Sequence, residues 1–176
     1  MKNSDVEVIK YILDKLQHKT TLNRLYGIMY LSQKEYLSKY GKSIFDDNFH
    51  ITSNFLKLKT FNDFILPNSE FKTYYEYDNE STYNKYIECN IEPDLDYIAE
   101  MEKKTINNIC ETYETLTDEE IIKLCKDFAY IKAKNRMTQD PDLSIITTVD
   151  MAKAGGGDSD LVKYIIENKI IKLTLG

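Results

Sequence analysis

Apolar residues recur every three or four positions through most of this chain, which is the spacing of helices with one buried face. The first apolar stripe follows a capping box and predicts a helix over residues 5–18. A longer stripe predicts a second helix over residues 20–41, where Thr20 and Thr21 offer the N-cap and Gly41 ends the pattern. These two helices account for most of the apolar residues in the first quarter of the chain.

The middle of the chain changes from helical spacing to alternation. Apolar residues between positions 55 and 65 predict a third helix that stops before Pro67. Two tyrosine- and threonine-rich runs then flank the turn-like residues 78–81. They predict one β-hairpin over about residues 72–88.

Helical spacing returns after the hairpin. Asp94 is placed to cap a fourth helix that continues to Tyr113, and a capping box of Thr117 and Glu120 predicts a fifth. Residues 135–144 are typical of a loop. The buried side of the fifth helix is predicted to carry Ile121, Ile122, Leu124, Cys125 and Phe128.

The C-terminal part is punctuated by Gly155-Gly156-Gly157. A short helix over residues 149–154, capped by Thr147 or Thr148, precedes the glycines, and the last helix begins at Asp158 or Ser159. Residues 170–175 fit either a short strand or a frayed end. The whole pattern predicts an α+β, predominantly α-helical single domain of about six helices with one small antiparallel β-hairpin.

Composition narrows the possible partners. The 176 residues include 23 Lys and Arg against 29 Asp and Glu, a net charge of −6, which argues against nucleic acid as the main partner. Hydrophobic residues make up 42% of the chain, enough for a folded core. No apolar run approaches the length of a membrane span, and the first residues do not resemble a signal peptide, so a soluble, cytoplasmic protein without membrane partners is expected.

Residues that could carry chemistry are few. Cys89, Cys110 and Cys125 lie far apart without a Cys-x-x-Cys pair, which predicts reduced, partly buried thiols. The three glycines lack the Lys-Ser or Lys-Thr of a phosphate loop, so they are expected to form a helix-to-helix turn. His18 is expected to be a solvated residue at a helix end.

Two groups of acidic residues could carry chemistry or could have only structural roles in turns and helix caps. His50 with Asp46 and Asp47 could form a metal or acid–base cluster, although a turn, in which Asp bonds to neighbouring backbone, is favoured. The carboxylate pairs in residues 94–96 and 140–142 are typical of a helix cap and of a proline turn. The sequence therefore predicts no enzyme, no metal site and no cofactor.

Two segments are candidate binding surfaces. A basic run over residues 126–136 contrasts with the acidic whole, and it suits either nucleic acid, an acidic protein surface or simply a solvated helix end. Its candidate residues are Lys126, Tyr130, Lys132, Lys134 and Arg136. The hairpin offers tyrosines and exposed edges, which either bind a partner or pack on the helices. Its candidate residues are Tyr74, Tyr75, Tyr77, Tyr83 and Tyr86.

The order of these segments resembles a known family. In residues 25–47 a leucine- and tyrosine-rich helix ends in Tyr40-Gly41-Lys42 and the turn Ile44-Phe45-Asp46-Asp47. This pattern resembles the N-terminal signature of the Panacea domain family, the SocA-like antitoxin and phage-associated proteins. Residues 113–124 and 145–168 resemble that family's tyrosine turn with its capped helix and its closing pair of helices, so the resemblance spans about residues 22–168.

The chain departs from the family pattern at two places. Thr52-Ser53-Asn54-Phe55 stands where the family commonly has a Gly-Pro turn. Cys125-Lys126 and Ile131 stand nearest to a common Thr-His pair and the following Trp. If those family residues contact a partner, the departures imply a changed partner or a degenerate function.

The resemblance implies a toxin-neutralising binding domain that is not an enzyme. Its partner would be a toxin encoded nearby, which the domain contacts directly or, as an adaptor, delivers to a protease. The alternative is a nucleic-acid-binding regulator that uses residues 126–136. The hairpin edges permit a homodimer without requiring one.

Overall fold

A computed structural model of the chain describes residues 3–53, 55–65, 68–77 and 83–175. Its α-helices are α1 Asn3–Lys15, α2 Leu22–Tyr40, α3 Phe61–Phe64, α4 Glu100–Thr112, α5 Asp118–Cys125, α6 Phe128–Gln139, α7 Thr148–Ala154 and α8 Ser159–Leu175. Its strands are β1 Lys19–Thr21, β2 Phe49–Ile51, β3 Leu56–Leu58, β4 Lys72–Tyr77 and β5 Tyr83–Glu88. The predominance of helices over small antiparallel sheets confirms the predicted α+β class.

Helix α2 forms the centre of the fold. It packs against α4, α5 and α7, and its residues 25–33 are buried without interruption, because a helix covered on several sides needs more than one apolar stripe. Its closest approach is at Gly27, where any side chain would overlap Cγ2 of Ile121 on α5. Gly41 ends the helix in the left-handed conformation (φ 64°), as predicted.

The predicted hairpin is confirmed and gains a third strand. β4 and β5 pair antiparallel with Tyr74 opposite Tyr86, and the predicted turn residues 78–81 lie outside the described residues. β1 pairs with the other side of β5, so the sheet order is β1-β5-β4. The sequence pattern showed only the capping role of Thr21, whose hydroxyl accepts the Arg24 N–H, and missed that the same residue ends a strand.

The predicted third helix over residues 55–65 is wrong. Its first part, Leu56–Leu58, is strand β3 of a second hairpin, in which Phe49 of β2 pairs with Leu58, and only the single turn α3 is helical. Leu56 and Leu58 are buried around the exposed Lys57, which is the alternation of a strand. The helical spacing of the phenylalanines obscured that alternation. Pro67, the predicted end of the helix, lies outside the described residues.

The predicted fifth helix is two helices, so the loop predicted from residue 135 is also wrong up to Gln139. Helix α5 ends at Cys125, and Asp127 starts α6 by accepting the N–H groups of Ala129 and Tyr130. The change of direction turns Leu124 and Phe128, both predicted to be buried, toward solvent. Beyond α6, the segment contains a 3-10 turn at Pro141–Leu143.

Smaller differences concern helix ends. Asp94 caps a 3-10 turn, Leu95–Tyr97, and α4 begins only at Glu100. The last helix α8 continues through residues 170–175, so the strand, one of the two alternatives for that segment, is wrong. The glycines connect α7 to α8, which confirms the predicted turn. Among the described helices, none combines the length and apolar composition needed to cross a bilayer.

Candidate binding surfaces

Asp46 and Asp47 lie in a bend before β2, as the favoured interpretation predicts, whereas His50 lies within strand β2, so the predicted turn is wrong at that residue. The Asp47 carboxylate accepts the backbone N–H and the hydroxyl of Thr60, both at 2.7 Å. His50 Nδ1 lies 3.1 Å from the Ser144 hydroxyl, and burial lowers the pKa of His50 below its ordinary value. Within the described ranges, no group of three or more His, Cys, Asp and Glu side chains is arranged to hold a metal ion.

Other candidate chemical groups have structural roles. Asp94 and Asp140 each accept the backbone N–H two residues later, which fits the helix cap predicted for the first pair and the proline turn predicted for the second. All three cysteines are free and buried. Burial raises the pKa of Cys110 to about 11 and that of Cys125 to about 12. These thiols are therefore protonated near neutral pH and act as small apolar side chains.

A surface cavity of about 350 Å³ lies between α1, β1 and α4. Its charged lining residues include Lys15, Lys19 and Arg24. Each of these cations is already engaged: Lys15 with Asp14, Lys19 with Glu76, and Arg24 with backbone carbonyls and Asp118. The cavity therefore has little cationic hydrogen-bonding capacity left for an anionic ligand.

The basic segment divides into paired and unpaired cations. Lys132 Nζ lies 2.6 Å and Arg136 Nη1 3.1 Å from the carboxylate of Asp150, a buried residue on α7. Lys126 and Lys134 are exposed and make no ion pair with a described residue. Tyr130 is buried, so its ring cannot stack on a partner. Half of the cations in the predicted surface thus hold α6 to α7.

The Asp150 contacts predict a pH-dependent contribution to stability. Burial alone would raise the pKa of Asp150, but hydrogen bonds from Lys132, Thr147 and Arg136 hold it below its ordinary value. A depressed carboxyl pKa stabilises the fold above the unfolded-state pKa, and this contribution is lost as the pH falls below about 4. Asp150→Asn is expected to lower the free energy of unfolding by about 2 kcal/mol near neutral pH.

Urea denaturation of wild type and Asp150→Asn across the acidic range measures this effect, and the difference between them should shrink as the pH falls. Asp160→Asn is the matched control, because Asp160 is an exposed carboxylate at the start of α8. A difference that stays constant with pH would contradict the assignment of the effect to the Asp150 charge.

Exposed apolar side chains cluster in the sequence around the α5–α6 junction, and we call Leu124, Phe128 and Ile131 the helical patch, with the exposed Lys126 and Lys134 of the same segment as its rim. Phe128 is 55% and Ile131 52% exposed, and they lie one helical turn apart on α6. Leu124 is exposed in the last turn of α5, four residues earlier. Several large exposed apolar side chains in one region mark an interaction site more often than a single one does.

The outer face of the hairpin is a network of charged and aromatic side chains. Lys19 Nζ lies 3.0 Å from the Glu76 carboxylate, and it stands 5.2 Å and 4.8 Å from the ring centres of Tyr74 and Tyr86. The two tyrosine rings are stacked at 6.0 Å. These two candidate tyrosines are therefore half-buried among their own neighbours.

The inner face of the hairpin packs on the core only at its base. Ile87 is fully buried there. Farther along the same face, Tyr75, Tyr77 and Tyr83 are 54%, 72% and 58% exposed. The Tyr83 ring stacks on Tyr75 with ring centres 4.8 Å apart and makes a tilted contact with Tyr77 at 5.0 Å. The hairpin therefore projects three of the five predicted tyrosines beyond the body of the protein.

Two groups that the sequence did not single out organise the helices below these surfaces. Asp127 accepts hydrogen bonds from Tyr30 at 2.8 Å and Lys34 at 2.7 Å. Arg24 binds the backbone carbonyls of residues 113, 114 and 116. For Asp127 a signal existed, an Asp immediately before a helical pattern, whereas nothing in the sequence marks the partners of Arg24.

Comparison with protein-family models, with curated proteins and with solved structures finds no significant match to this chain. The resemblance to the Panacea domain family therefore stays a prediction based on the order and spacing of its segments.

Proposed function

We propose that this protein is a non-enzymatic protein-binding module that engages its partner through the helical patch. The exposure of Phe128 and Ile131 on adjacent turns of α6 carries the proposal. Large apolar side chains cost free energy in water, and their transfer into a partner's pocket is the main source of affinity in most interfaces.

The charge at the rim indicates the chemistry of the partner. Lys126 and Lys134 have no ion pair with a described residue, while the chain as a whole carries a net charge of −6. Two such cations make few phosphate contacts, which disfavours nucleic acid as the ligand. They suit a protein that presents an apolar surface edged by carboxylates.

The resemblance to the Panacea domain family supports a more specific partner, a toxin encoded next to this protein. Binding would occlude the toxin or deliver it to a protease. Lys126 and Ile131, which stand nearest to the departures from the family pattern, both belong to the helical patch. A partner specific to this chain is consistent with those departures.

The proposal is tested by co-expressing the tagged chain with the product of the neighbouring gene and measuring complex formation and growth. Phe128→Glu and Ile131→Glu should each weaken the complex by at least about tenfold, because each places a charge in an apolar contact. Ile170→Glu is the matched control, since Ile170 is equally exposed on α8. The proposal is refuted if neither patch substitution weakens the complex. It is also refuted if no complex forms and the neighbouring gene product remains fully toxic.

Salt dependence separates a protein partner from nucleic acid. A complex with a protein should survive nuclease and weaken only modestly with salt. Steep loss of affinity with salt, reduced in Lys126→Ala and Lys134→Ala, would instead assign the segment to phosphate binding.

A further inference from the structure

Strand β4 is a regular sheet edge. Its six residues pair with β5 in unbroken register, and no strand among the described residues lies on its other side. It contains neither proline nor glycine, and it has one charge of each sign, Lys72 and Glu76. Natural edges are usually protected from pairing by prolines, bulges or charged side chains, and the described part of this edge has only its two charges, whose opposite signs favour pairing with a second copy in antiparallel orientation.

We propose that a second copy of this chain pairs with β4, so that two hairpins form one continuous sheet around a two-fold axis. The axis passes through Tyr74, and the two copies of β4 run antiparallel. This proposal is independent of the proposed function, because the hairpin and the helical patch are formed by different residues.

The positions of the charges select this register. Lys72 and Glu76 lie two residues before and two after Tyr74, so an axis through Tyr74 sets each opposite its counterpart of opposite sign. An axis through Tyr75 would set Glu76 opposite Tyr74, and one through Thr73 would set Lys72 opposite Tyr74. Only the register centred on Tyr74 forms two opposite-charge pairs, and it pairs residues 72–76 of the two strands.

The outer face of the hairpin is compatible with these added pairs. Glu76 already contacts Lys19 at 3.0 Å but remains about half exposed. Lys72 lies 5.3 Å from the ring centre of Tyr74. In the dimer, Glu76 would lie between Lys19 of its own chain and Lys72 of the second copy, and the two Tyr74 rings would meet on the axis.

The second copy also covers the exposed tyrosines of the inner face. Because the strands run in opposite directions, the projecting end of one hairpin lies beside the base of the other. Tyr77 then faces Phe71 of the second copy, a buried residue that immediately precedes that strand. Tyr75 and Tyr77, which reach beyond their own protein body, would pack against the other body.

Charge reversal tests the register on the full-length protein. Lys72→Glu sets a glutamate opposite Glu76 in both symmetry-related pairs. The repulsion should raise the dissociation constant of the dimer, measured by sedimentation, by about tenfold or more. The double variant Lys72→Glu/Glu76→Lys restores both opposite-charge pairs and should return within about threefold of wild type. A dimer that Lys72→Glu leaves unchanged would overturn the register.

Disulfide trapping tests the axis. Tyr74→Cys brings two cysteines face to face, and mild oxidation should give a covalent dimer rapidly. Tyr86→Cys is the matched control, because Tyr86 lies on the same face of the central strand β5. The native cysteines are buried and should not contribute. Equal cross-linking of the two variants, or a monomer at every concentration up to high micromolar, would overturn the proposal.

Discussion

Asp127→Ala is expected to lower the free energy of unfolding by about 3–5 kcal/mol, because it leaves the charge of Lys34 without its partner. The Asp127 carboxylate accepts a hydrogen bond from the Lys34 ammonium at 2.7 Å, and both side chains are less than one-fifth exposed. The same carboxylate accepts a hydrogen bond from the hydroxyl of the fully buried Tyr30, and it caps the N-terminus of α6. Alanine would leave an ammonium and a hydroxyl buried without an acceptor and would remove the cap, which alone contributes about 1 kcal/mol.

Asp127→Asn separates these contributions, because Asn caps a helix as well as Asp does. It keeps an acceptor for Tyr30 but loses the charge facing Lys34, so its loss should be about half that of alanine. The double variant Lys34→Met/Asp127→Asn removes both charges and should regain stability relative to Asp127→Asn alone. Urea denaturation measures all four proteins. A loss below about 1 kcal/mol in Asp127→Ala would show that only the cap matters.

Tyr30 should remain a hydrogen-bond donor to Asp127 across the accessible pH range. Burial raises the pKa of the Tyr30 hydroxyl, and the Asp127 carboxylate raises it further. A protonated phenol beside a carboxylate is a charge-assisted hydrogen bond, stronger than a neutral one. This bond connects α2 to the start of α6 and so positions the helical patch.

Arg24→Met is expected to lower the free energy of unfolding by about 2–3 kcal/mol. The guanidinium donates to the carbonyls of Tyr113, Glu114 and Leu116 and to the Asp118 carboxylate, at 2.6–3.4 Å. It thereby holds the end of α4 and the start of α5 on α2. Methionine keeps the apolar stem but provides no donor, so those groups lose their only charged donor on α2.

Arg24→Lys is the informative comparison, because an ammonium retains the charge but cannot reach three carbonyls and a carboxylate in one planar arrangement. Its loss should fall between wild type and methionine. Hydrogen exchange should show faster opening at the end of α4 and the start of α5 in both variants. Equal stability of Arg24→Met and wild type, within about 0.5 kcal/mol, would mean that water replaces the guanidinium without cost.

The two proposals concern opposite kinds of exposed surface. The helical patch is apolar and has at its rim two lysines that make no ion pair with a described residue, which suits a different protein. The β4 edge carries charges symmetrically about Tyr74, which suits a copy of itself. A dimer formed through β4 would present two helical patches, so a bivalent partner would bind more tightly than a single patch predicts.

Elements with long local signals were predictable from the sequence. The unbroken stripe that Gly41 ends predicted α2, and the tyrosine- and threonine-rich alternation predicted the hairpin of β4 and β5. The segment over residues 49–58 was not predictable in this way, because its strands are three residues long and its phenylalanines also fit helical spacing. The predicted buried face over residues 121–128 misplaced Phe128, because it assumed one continuous helix and α5 ends before Lys126.

The sequence by itself determined the helical class, the hairpin, the turn at the three glycines and the location of two candidate surfaces. These properties depend on local periodicity and capping, which neighbouring residues specify. Only the tertiary structure decided which candidate side chains remain exposed. Lys132 and Arg136 pair with Asp150 on another helix. The burial of Tyr130 and the exposure of Tyr77 likewise depend on how separate elements pack together. No local sequence pattern specifies such contacts.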